Sequence, residues 1–265
     1  MLGAILFDLD ETLLIDRAWA EEALVLTCSA AGGPAAAARL LASAVDREAR
    51  RLWREGPSWG FCEALGITWW EGLVSVRPGP GPEARRLAAW LPGFRRRAWE
   101  GALEALGLHE EGLATRLGDD YAARRRSRFR LLPEAVPLLT RLRAGPAVKL
   151  GMVTNGPADL QHGKLAATGL SGYFDAILVS GELGIGKPDA EVFGSILSTL
   201  AVPPSEAIMV GDSLARDVAG ARGAGLAAIW LAGSTPPGAG AAVPDHVARD
   251  LDAVGGILQK LLAAP

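Results

Sequence analysis

Residues 4–12, with the sequence AILFDLDET, join a short apolar run to an acidic motif. The run Ala4–Phe7 carries no polar side chain, which is typical of a strand buried on both faces of a parallel sheet. Asp8 and Asp10 follow at the point where that strand would end. The stretch therefore predicts an acidic site at the carboxyl end of a buried strand.

Further apolar runs of the same character lie beyond residue 130. They are Val148–Val153, Ala176–Val179, Ala207–Val210 and Ala227–Leu231. Helical patterns lie between them over Glu134–Arg143, Ala158–Thr168 and Ala190–Leu200. This alternation predicts a doubly wound, Rossmann-like α/β fold around a parallel sheet. The Gly/Pro/Ala-rich stretch Gly233–Pro244 is predicted to be a loop.

Residues 16–130 differ in composition from the rest of the chain. They are rich in Ala, Leu, Arg and Glu at helical spacing, and they hold seven of the eight tryptophans. The pattern predicts an all-helical cap domain inserted into a catalytic core that is formed by residues 1–15 and 131–265. The tryptophans are expected to pack in its core rather than to form a binding surface.

Composition places the chain among ordinary globular proteins. It has 265 residues, 49% of them hydrophobic, and a formal net charge of −3, which gives no indication of binding to nucleic acid or to an anionic membrane. Cys28 and Cys62 lie in apolar stretches and are expected to be reduced thiols rather than a disulfide. With no signal-like or membrane-spanning segment recognised, we expect a cytoplasmic protein.

Polar motifs follow strands or open helices at four places in the α/β part of the chain. They are Asp8-Leu9-Asp10-Glu11-Thr12, Thr154-Asn155-Gly156, Gly186-Lys187-Pro188, and Gly211-Asp212-Ser213 with Asp217. Loops at the carboxyl ends of parallel strands meet in one crevice, where the strand order reverses. Carboxylates gathered there would repel one another without a cation, and oxygen ligands favour a hard ion such as Mg²⁺, which also pairs with substrate phosphate.

Each motif also has a structural explanation when it is taken alone. Thr154-Asn155-Gly156 is a common turn sequence, Lys187 could be a solvated residue ahead of a helix, and Asp212 or Ser213 could cap a helix. In combination and in this order, the motifs favour a catalytic site. The use of lysine supports this interpretation, because the chain has 23 arginines and only four lysines, and a compact ammonium fits where a guanidinium would be too large.

Together the four motifs resemble those of the haloacid dehalogenase-like hydrolases, over the whole α/β part of the chain. The helical insertion between the first and second motifs resembles the mobile cap of one subgroup, which would set substrate specificity. Residues 154–231 are also similar to the N-acylneuraminate-9-phosphatase and bacterial pyrimidine 5′-nucleotidase group. The shared features are Thr154-Asn155-Gly156, Tyr173-Phe174-Asp175, Gly181-Glu182, Lys187-Pro188, and Gly211-Asp212 followed by Asp217.

The resemblance implies that Asp8 is the nucleophile, which attacks phosphorus in line and forms an acyl phosphate. Asp10 would protonate the leaving alcohol and later activate water. An acid at position 10 also indicates phosphate-ester chemistry, since dehalogenase-like and phosphonatase-like members lack one there. Glu11 stands where many relatives have Gly or Asn, and we expect its side chain to point away from the phosphate.

The resemblance also implies a metal site. Mg²⁺ would be bound by the side chains of Asp8 and Asp212 and by the backbone carbonyl of Asp10. Asp217 would orient waters around the ion without binding it directly.

The phosphoryl group would be held by a second set of residues. Thr154, the backbone amide of Asn155 and the ammonium of Lys187 would bind its oxygens and neutralise charge that develops in the transition state. Lys187 therefore counts as a catalytic as well as a phosphate-binding residue.

Three functions remain compatible with these motifs. The first is a Mg²⁺-dependent phosphatase of a small metabolite such as a sugar phosphate, an acyl-sugar phosphate or a nucleotide. The second is a phosphomutase of the β-phosphoglucomutase type, and the third is a catalytically idle binding module, since fold does not dictate function. The sequence does not distinguish a monomer from a homodimer.

Overall fold

The computed structural model describes residues 2–32, 34–233 and 241–263. The strands of this part are β1 (Ala4–Phe7), β2 (Leu14–Ile15), β3 (Arg130–Leu131), β4 (Lys149–Thr154), β5 (Ala176–Val179), β6 (Ala207–Gly211), β7 (Ala227–Leu231) and β8 (His246–Ala248). Six of them form one sheet in the order β5-β4-β1-β6-β7-β8, and every neighbouring pair in it is parallel. This sheet confirms the predicted Rossmann-like α/β fold.

The helices divide between the sheet and the insertion. Those of the insertion are α1 (Arg17–Ser29), α2 (Ala35–Arg54), α3 (Trp59–Leu65), α4 (Trp69–Gly72), α5 (Pro82–Glu104) and α6 (Leu113–Ser127). Those that follow are α7 (Ala135–Ala144), α8 (Ala158–Thr168), α9 (Ser180–Leu183), α10 (Ala190–Leu200), α11 (Ala219–Gly223) and α12 (Leu251–Ala263). Short 3₁₀ turns and one π-helical turn, Leu214–Val218, are the remaining helical elements of the described ranges. None of the described helices combines the length and apolar character that a membrane crossing requires.

The sheet is buried on both faces, as its continuous apolar strands predict. In β1, Ile5 and Phe7 belong to one hydrophobic cluster and Ala4 and Leu6 to another, because successive side chains of a strand point to opposite faces. Helices α7 and α12 cover the first face, and α10 and α11 cover the second. The two layers fix the strand ends on which the polar motifs lie.

The strand order reverses at β1. Its neighbours β4 and β6 come from later in the chain and lie on opposite sides, with Phe7 in register with both Met152 and Val210. The carboxyl ends of these three strands therefore open into one crevice, the usual position of a ligand site in such sheets.

The helical insertion has its own hydrophobic cluster. Trp53, Phe94, Trp99 and Tyr121 are among its buried members, and Leu160 of α8 joins it from the sheet side. The buried tryptophans pack in this core as expected, whereas Trp59 is 38% exposed. The division of the chain into two domains at residues 15/16 and 130/131 stays a prediction.

Three short strands lie outside the sequence predictions. β2 and β3 form an antiparallel pair where the chain enters and leaves the insertion, with Leu14 opposite Leu131 and Ile15 opposite Arg130. β8 is three residues long and includes the exposed Val247, so it lacks the apolar run of a central strand. Residues 234–240 of the predicted Gly233–Pro244 loop lie outside the described residues.

Candidate active site

Lys187 is the centre of the buried charge at the end of β1. Its Nζ lies 2.6 Å from Oδ1 of Asp8 and 2.6 Å from Oδ1 of Asp217. All three side chains are buried. Burial works against the charge of Lys187, but the two carboxylates outweigh it and raise the pKa of the ammonium. Lys187 is therefore a fixed cation between two acids that lie 209 positions apart in the sequence.

Asp8, Asp212 and Asp217 form a group of oxygen donors that fits a divalent cation. Each offers one carboxylate oxygen, and these oxygens lie within 4.8 Å of one another. Burial, together with the charges of Asp8 and Asp217, raises the pKa of Asp212 to about 8. One ammonium therefore does not neutralise the three acids, and a hard cation held by oxygen ligands would complete the balance.

Gly211, at the end of β6, is required by the packing of this acidic group. A Cβ at position 211 would collide with the carboxyl group of Asp217. Oδ2 of Asp217, the carboxylate oxygen that does not contact Lys187, accepts a hydrogen bond of 2.9 Å from the backbone amide of Ser213. The Gly-Asp-Ser motif thus turns tightly enough to bring Asp212 and Asp217 to the same place.

Asn155 fixes the loop that carries Lys187. Its side-chain Nδ2 donates to the carbonyl of Lys187 at 2.9 Å, and its Oδ1 accepts from the amide of Lys187 at 2.9 Å. Thr154 is fully buried beside it. The structure therefore brings the second and third motifs into direct contact through the side chain of Asn155.

Asp10 lies in a second polar group, which the sequence analysis did not find. Nζ of the buried Lys164 lies 2.8 and 2.9 Å from the two carboxylate oxygens of Asp10. Gln161 donates from Nε2 to Asp10 at 2.8 Å and to Oγ1 of Thr154 at 2.6 Å. Both new residues lie on one face of α8, directly after the Thr154-Asn155-Gly156 motif. The scarcity of lysine, which drew attention to Lys187, would have pointed to Lys164 as well.

The insertion contributes two acids to this second group. Lys164 lies 3.4 Å from Asp16 and 3.8 Å from Glu71. Burial opposes the charge of Asp16, yet Lys164 and Arg125 lower its pKa to about 2. Burial raises the pKa of Glu71 to about 7. Glu71 is the acid of a capping box with Thr68, but no local motif marks either acid as part of the site, because that role depends on how the insertion packs on the sheet.

Glu11 connects the first motif to the insertion. Its backbone has a φ of 60°, a left-handed conformation that glycine and asparagine adopt most readily. Oε1 of its side chain accepts hydrogen bonds from the amides of Asp16 and Arg17, at 2.9 and 2.7 Å. These amides begin α1, so Glu11 satisfies the free donors of the first insertion helix, and that carboxylate oxygen is directed to them.

A cavity of about 350 Å³ connects the two polar groups. Its wall includes Asp8 and Asp212 from the sheet side and Trp70 and Glu71 from the insertion. The site residues predicted from the sequence all lie at or beside this crevice. The two lysine-centred groups and the mixed lining make it the candidate active site, although the role of each residue stays a prediction.

Comparison with known proteins agrees with this geometry. Residues 2–225 match the haloacid dehalogenase-like hydrolase family. The chain is 40% identical over 247 residues to phosphoserine phosphatase of Thermus thermophilus, which covers 93% of this chain and 95% of that protein. It is 32% identical over 144 residues to human N-acylneuraminate-9-phosphatase, covering 53% of this chain and 57% of that protein.

The fold has solved counterparts as well. The hydrolase YfnB from Bacillus subtilis superposes with a TM-score of 0.64 at 22% identity, covering 97% of this chain and 99% of that one. An alignment of 247 out of 265 residues to the Thermus protein must also include most of the helical insertion. The family resemblance stated from the motifs is therefore confirmed, and the similarity to the Thermus protein also includes the insertion, in which none of the four motifs lies.

Proposed function

The chain belongs to the haloacid dehalogenase-like hydrolases, an enzyme family, and on that premise we propose that it is a Mg²⁺-dependent phosphatase. It hydrolyses a small phosphomonoester through an aspartyl-phosphate on Asp8. The contact of Lys187 with Asp8 and Asp217, at the end of the central strand, is the observation that carries this proposal. It supports Asp8 as the nucleophile, because this carboxylate lies beside a buried ammonium of the kind that binds a phosphoryl oxygen.

In the first step, a carboxylate oxygen of Asp8 forms a bond to phosphorus while the bond from phosphorus to the ester oxygen breaks. Asp10 gives its proton to the departing alkoxide, so that a neutral alcohol leaves. Thr154, the amide of Asn155 and Lys187 hold the phosphoryl oxygens in this arrangement. The side chain of Asn155 contributes indirectly, since it fixes the backbone of Lys187.

In the second step, Asp10 takes a proton from water, and the water oxygen attacks phosphorus. The bond from phosphorus to Asp8 breaks, inorganic phosphate leaves, and the carboxylate is restored. Lys164 and Gln161 hold both oxygens of Asp10 from α8, which keeps the acid and base at one position during the two steps.

Mg²⁺ would be held by the side chains of Asp8 and Asp212 and by the carbonyl of Asp10, close to Asp217. When bound, it supplies positive charge that offsets the repulsion between the carboxylates and the incoming phosphate. The raised pKa of Asp212, about 8, supports this assignment, because burial and then the charges of Asp8 and Asp217 disfavour its carboxylate, and a bound cation would relieve both.

Residues 16–130 are proposed to form the cap that selects the substrate. The phosphoserine phosphatase match includes most of these residues, so phosphorylated amino acids join sugar phosphates and nucleotides among the candidate substrates. The buried thiols Cys28 and Cys62 are unpaired, which favours a reducing compartment such as the cytoplasm.

Phosphate release from a panel of phosphomonoesters, with and without EDTA, tests the proposal. We expect turnover that EDTA abolishes and added Mg²⁺ restores. Asp8→Asn should lower kcat by more than about a hundredfold, because an amide cannot form the acyl phosphate. Asp252→Asn, a surface substitution on α12, is the matched control. Full activity in EDTA would contradict the requirement for Mg²⁺, and an active Asp8→Asn variant would contradict the assignment of Asp8 as the nucleophile.

A further inference from the structure

Three cationic side chains line the candidate active-site cavity: Arg17, Lys187 and Arg216. Lys187 is paired with Asp8 and Asp217. Arg17 is paired with Glu21 at 3.2 Å, and its side chain is 64% exposed. The half-buried guanidinium of Arg216 has no acceptor within the part of the chain that the structure describes. It is therefore the cation of the cavity wall that a ligand could neutralise.

The position of Arg216 is fixed by both parts of the chain. Its amide donates to Oγ of Ser213 at 3.2 Å, which holds its backbone within the fourth motif, directly before Asp217. Gly66, at the end of α3 with a φ of 69°, leaves the space that the guanidinium occupies, since a Cβ there would collide with Nη1. The same Cβ position lies 3.0 Å from Cβ of Asn155. Arg216 thus stands between the insertion and the phosphate-binding loop.

The rest of the lining determines what this cation can bind. Asp16 and Glu71 are the acids that face the cavity from the insertion, and they would repel an anionic group placed beside them. A guanidinium offers two parallel donors that match the two oxygens of a carboxylate. A cavity of about 350 Å³ admits only a small leaving group, so this carboxylate must lie a few bonds from phosphorus.

We propose that Arg216 binds a carboxylate on the leaving group, so that the substrates are phosphate esters of small hydroxy acids or hydroxyl-bearing amino acids. The inference rests on the proposed phosphatase function and deepens it. The phosphoryl group lies at Asp8 and Lys187, and Arg216 binds the acid group of the alcohol that leaves.

Matched substrates test this assignment. O-phosphoserine carries the carboxylate and an amine, and O-phosphoethanolamine has the same skeleton without the carboxylate. p-Nitrophenyl phosphate has neither the carboxylate nor the amine. We expect the wild type to favour phosphoserine over phosphoethanolamine by about 10- to 100-fold in kcat/KM, the usual contribution of a charged hydrogen-bonded pair. Arg216→Met should remove this preference through KM and leave the other two substrates within about threefold.

The controls separate the possible failures. Arg17→Met removes the other arginine of the cavity wall and should keep the preference, while Arg216→Lys should restore part of it. Equal losses on all three substrates would show that Arg216 serves the phosphoryl group and would overturn the proposal. A wild type without the preference would do the same. No phosphate release from any of the three would instead contradict the phosphatase function.

Product inhibition provides a test that needs no variant. Serine should inhibit the wild-type enzyme at concentrations where ethanolamine does not, because only serine carries the carboxylate. Equal inhibition by the two amines would overturn the role of Arg216 even if Arg216→Met failed to fold.

Discussion

Two buried lysines bind the carboxylates of this site, and they differ in the parts of the chain that surround them. Lys187 contacts Asp8 and Asp217, which both follow strands of the central sheet. Lys164 contacts Asp10 from the sheet side, and it lies close to Asp16 and Glu71 of the helical insertion. The first group is complete within the α/β part, whereas the second joins it to the insertion.

The difference in their partners predicts different roles for Lys187 and Lys164. A cation whose ion-pair partners both belong to the α/β part would keep those partners if the insertion moved, which suits the residue that contacts the proposed nucleophile. A cation shared with the insertion would change its surroundings if the insertion moved, and it contacts the proposed acid. Substitutions at Lys187 should therefore affect every substrate alike, and substitutions at Lys164 should affect substrates according to how much their leaving group needs a proton.

Lys187→Met should have the largest effect. It leaves Asp8, Asp212 and Asp217 without their ammonium and removes a charge that faces the transition state, so kcat should fall about a thousandfold. The loss should be similar on p-nitrophenyl phosphate and on an alkyl phosphate. Steady-state kinetics on both substrates measure this, with the exposed Lys260→Met as control. A loss confined to the alkyl phosphate would remove the distinction between the two lysines.

Lys164→Met should have the next largest effect, and it should depend on the substrate. Asp10 loses the contact that holds both its oxygens, so kcat on an alkyl phosphate should fall about a hundredfold. Phosphorylation of the enzyme by p-nitrophenyl phosphate should suffer much less, because nitrophenolate leaves without a proton. The rate of the nitrophenol burst reports that step. An equal loss on both substrates would contradict the link between Lys164 and the proposed acid.

Glu71→Gln should change the pH dependence of stability. The pKa of Glu71 is about 7 in the folded protein and 4.5 in its unperturbed state. Below about pH 4.5 the carboxyl group is neutral in both states. Between pH 4.5 and 7, Glu71 is deprotonated in the unfolded chain but still protonated in the folded protein, so the wild type loses stability as the pH rises. Above pH 7, Glu71 is deprotonated in both states, and its contribution to the free energy of unfolding no longer changes with pH.

Glu71→Gln removes this loss, so the free energy of unfolding of the variant should rise by about 3 kcal/mol relative to that of the wild type between pH 4.5 and 8. Urea unfolding at several pH values measures it. Glu104→Gln, an exposed substitution on α5, should run parallel to the wild type. A constant difference between wild type and Glu71→Gln across this range would show that burial does not hold the proton on Glu71.

Glu11→Gly should have the smallest effect. Glycine relieves a left-handed conformation that costs about 1 kcal/mol for other residues, but it loses the acceptor for the first two amides of α1. The two changes oppose each other, so the free energy of unfolding should change by less than about 1 kcal/mol. Glu11→Gln keeps the acceptor oxygen and the strain and serves as the comparison. A loss above 2 kcal/mol would mean that the contact with α1 outweighs the strain.

The sequence predicted the secondary-structure elements that depend on short stretches of the chain. The strand Ala4–Phe7 and the helices Ala158–Thr168 and Ala190–Leu200 are predicted with their observed bounds, because continuous apolar strands and amphipathic helices are encoded within short windows. The crevice is also predictable, since parallel strands place their ends together.

The second lysine group could not be predicted in the same way. Asp16 and Glu71 become part of the site only when the insertion folds over α8, and a single sequence records no contact across that distance. Lys164 itself could have been identified from the sequence, since it is one of four lysines and lies on a helix that begins just after a predicted motif. The strands β2 and β3 have two residues each, too few for any periodic pattern.

The β2–β3 pair has a mechanical consequence for the insertion. The chain enters it at Ile15 and leaves it at Arg130, and these two residues are paired. Two separate tethers would let six helices slide as well as turn, whereas two strands that leave together act as a single stalk. Displacement then reduces to bending and twisting about the stalk axis, and Asp16, one of the acids beside Lys164, directly follows the stalk. Any opening of the cavity would thereby be a rotation about an axis that passes close to the Lys164–Asp16 contact, so that this ion pair moves less than the contacts farther from the stalk.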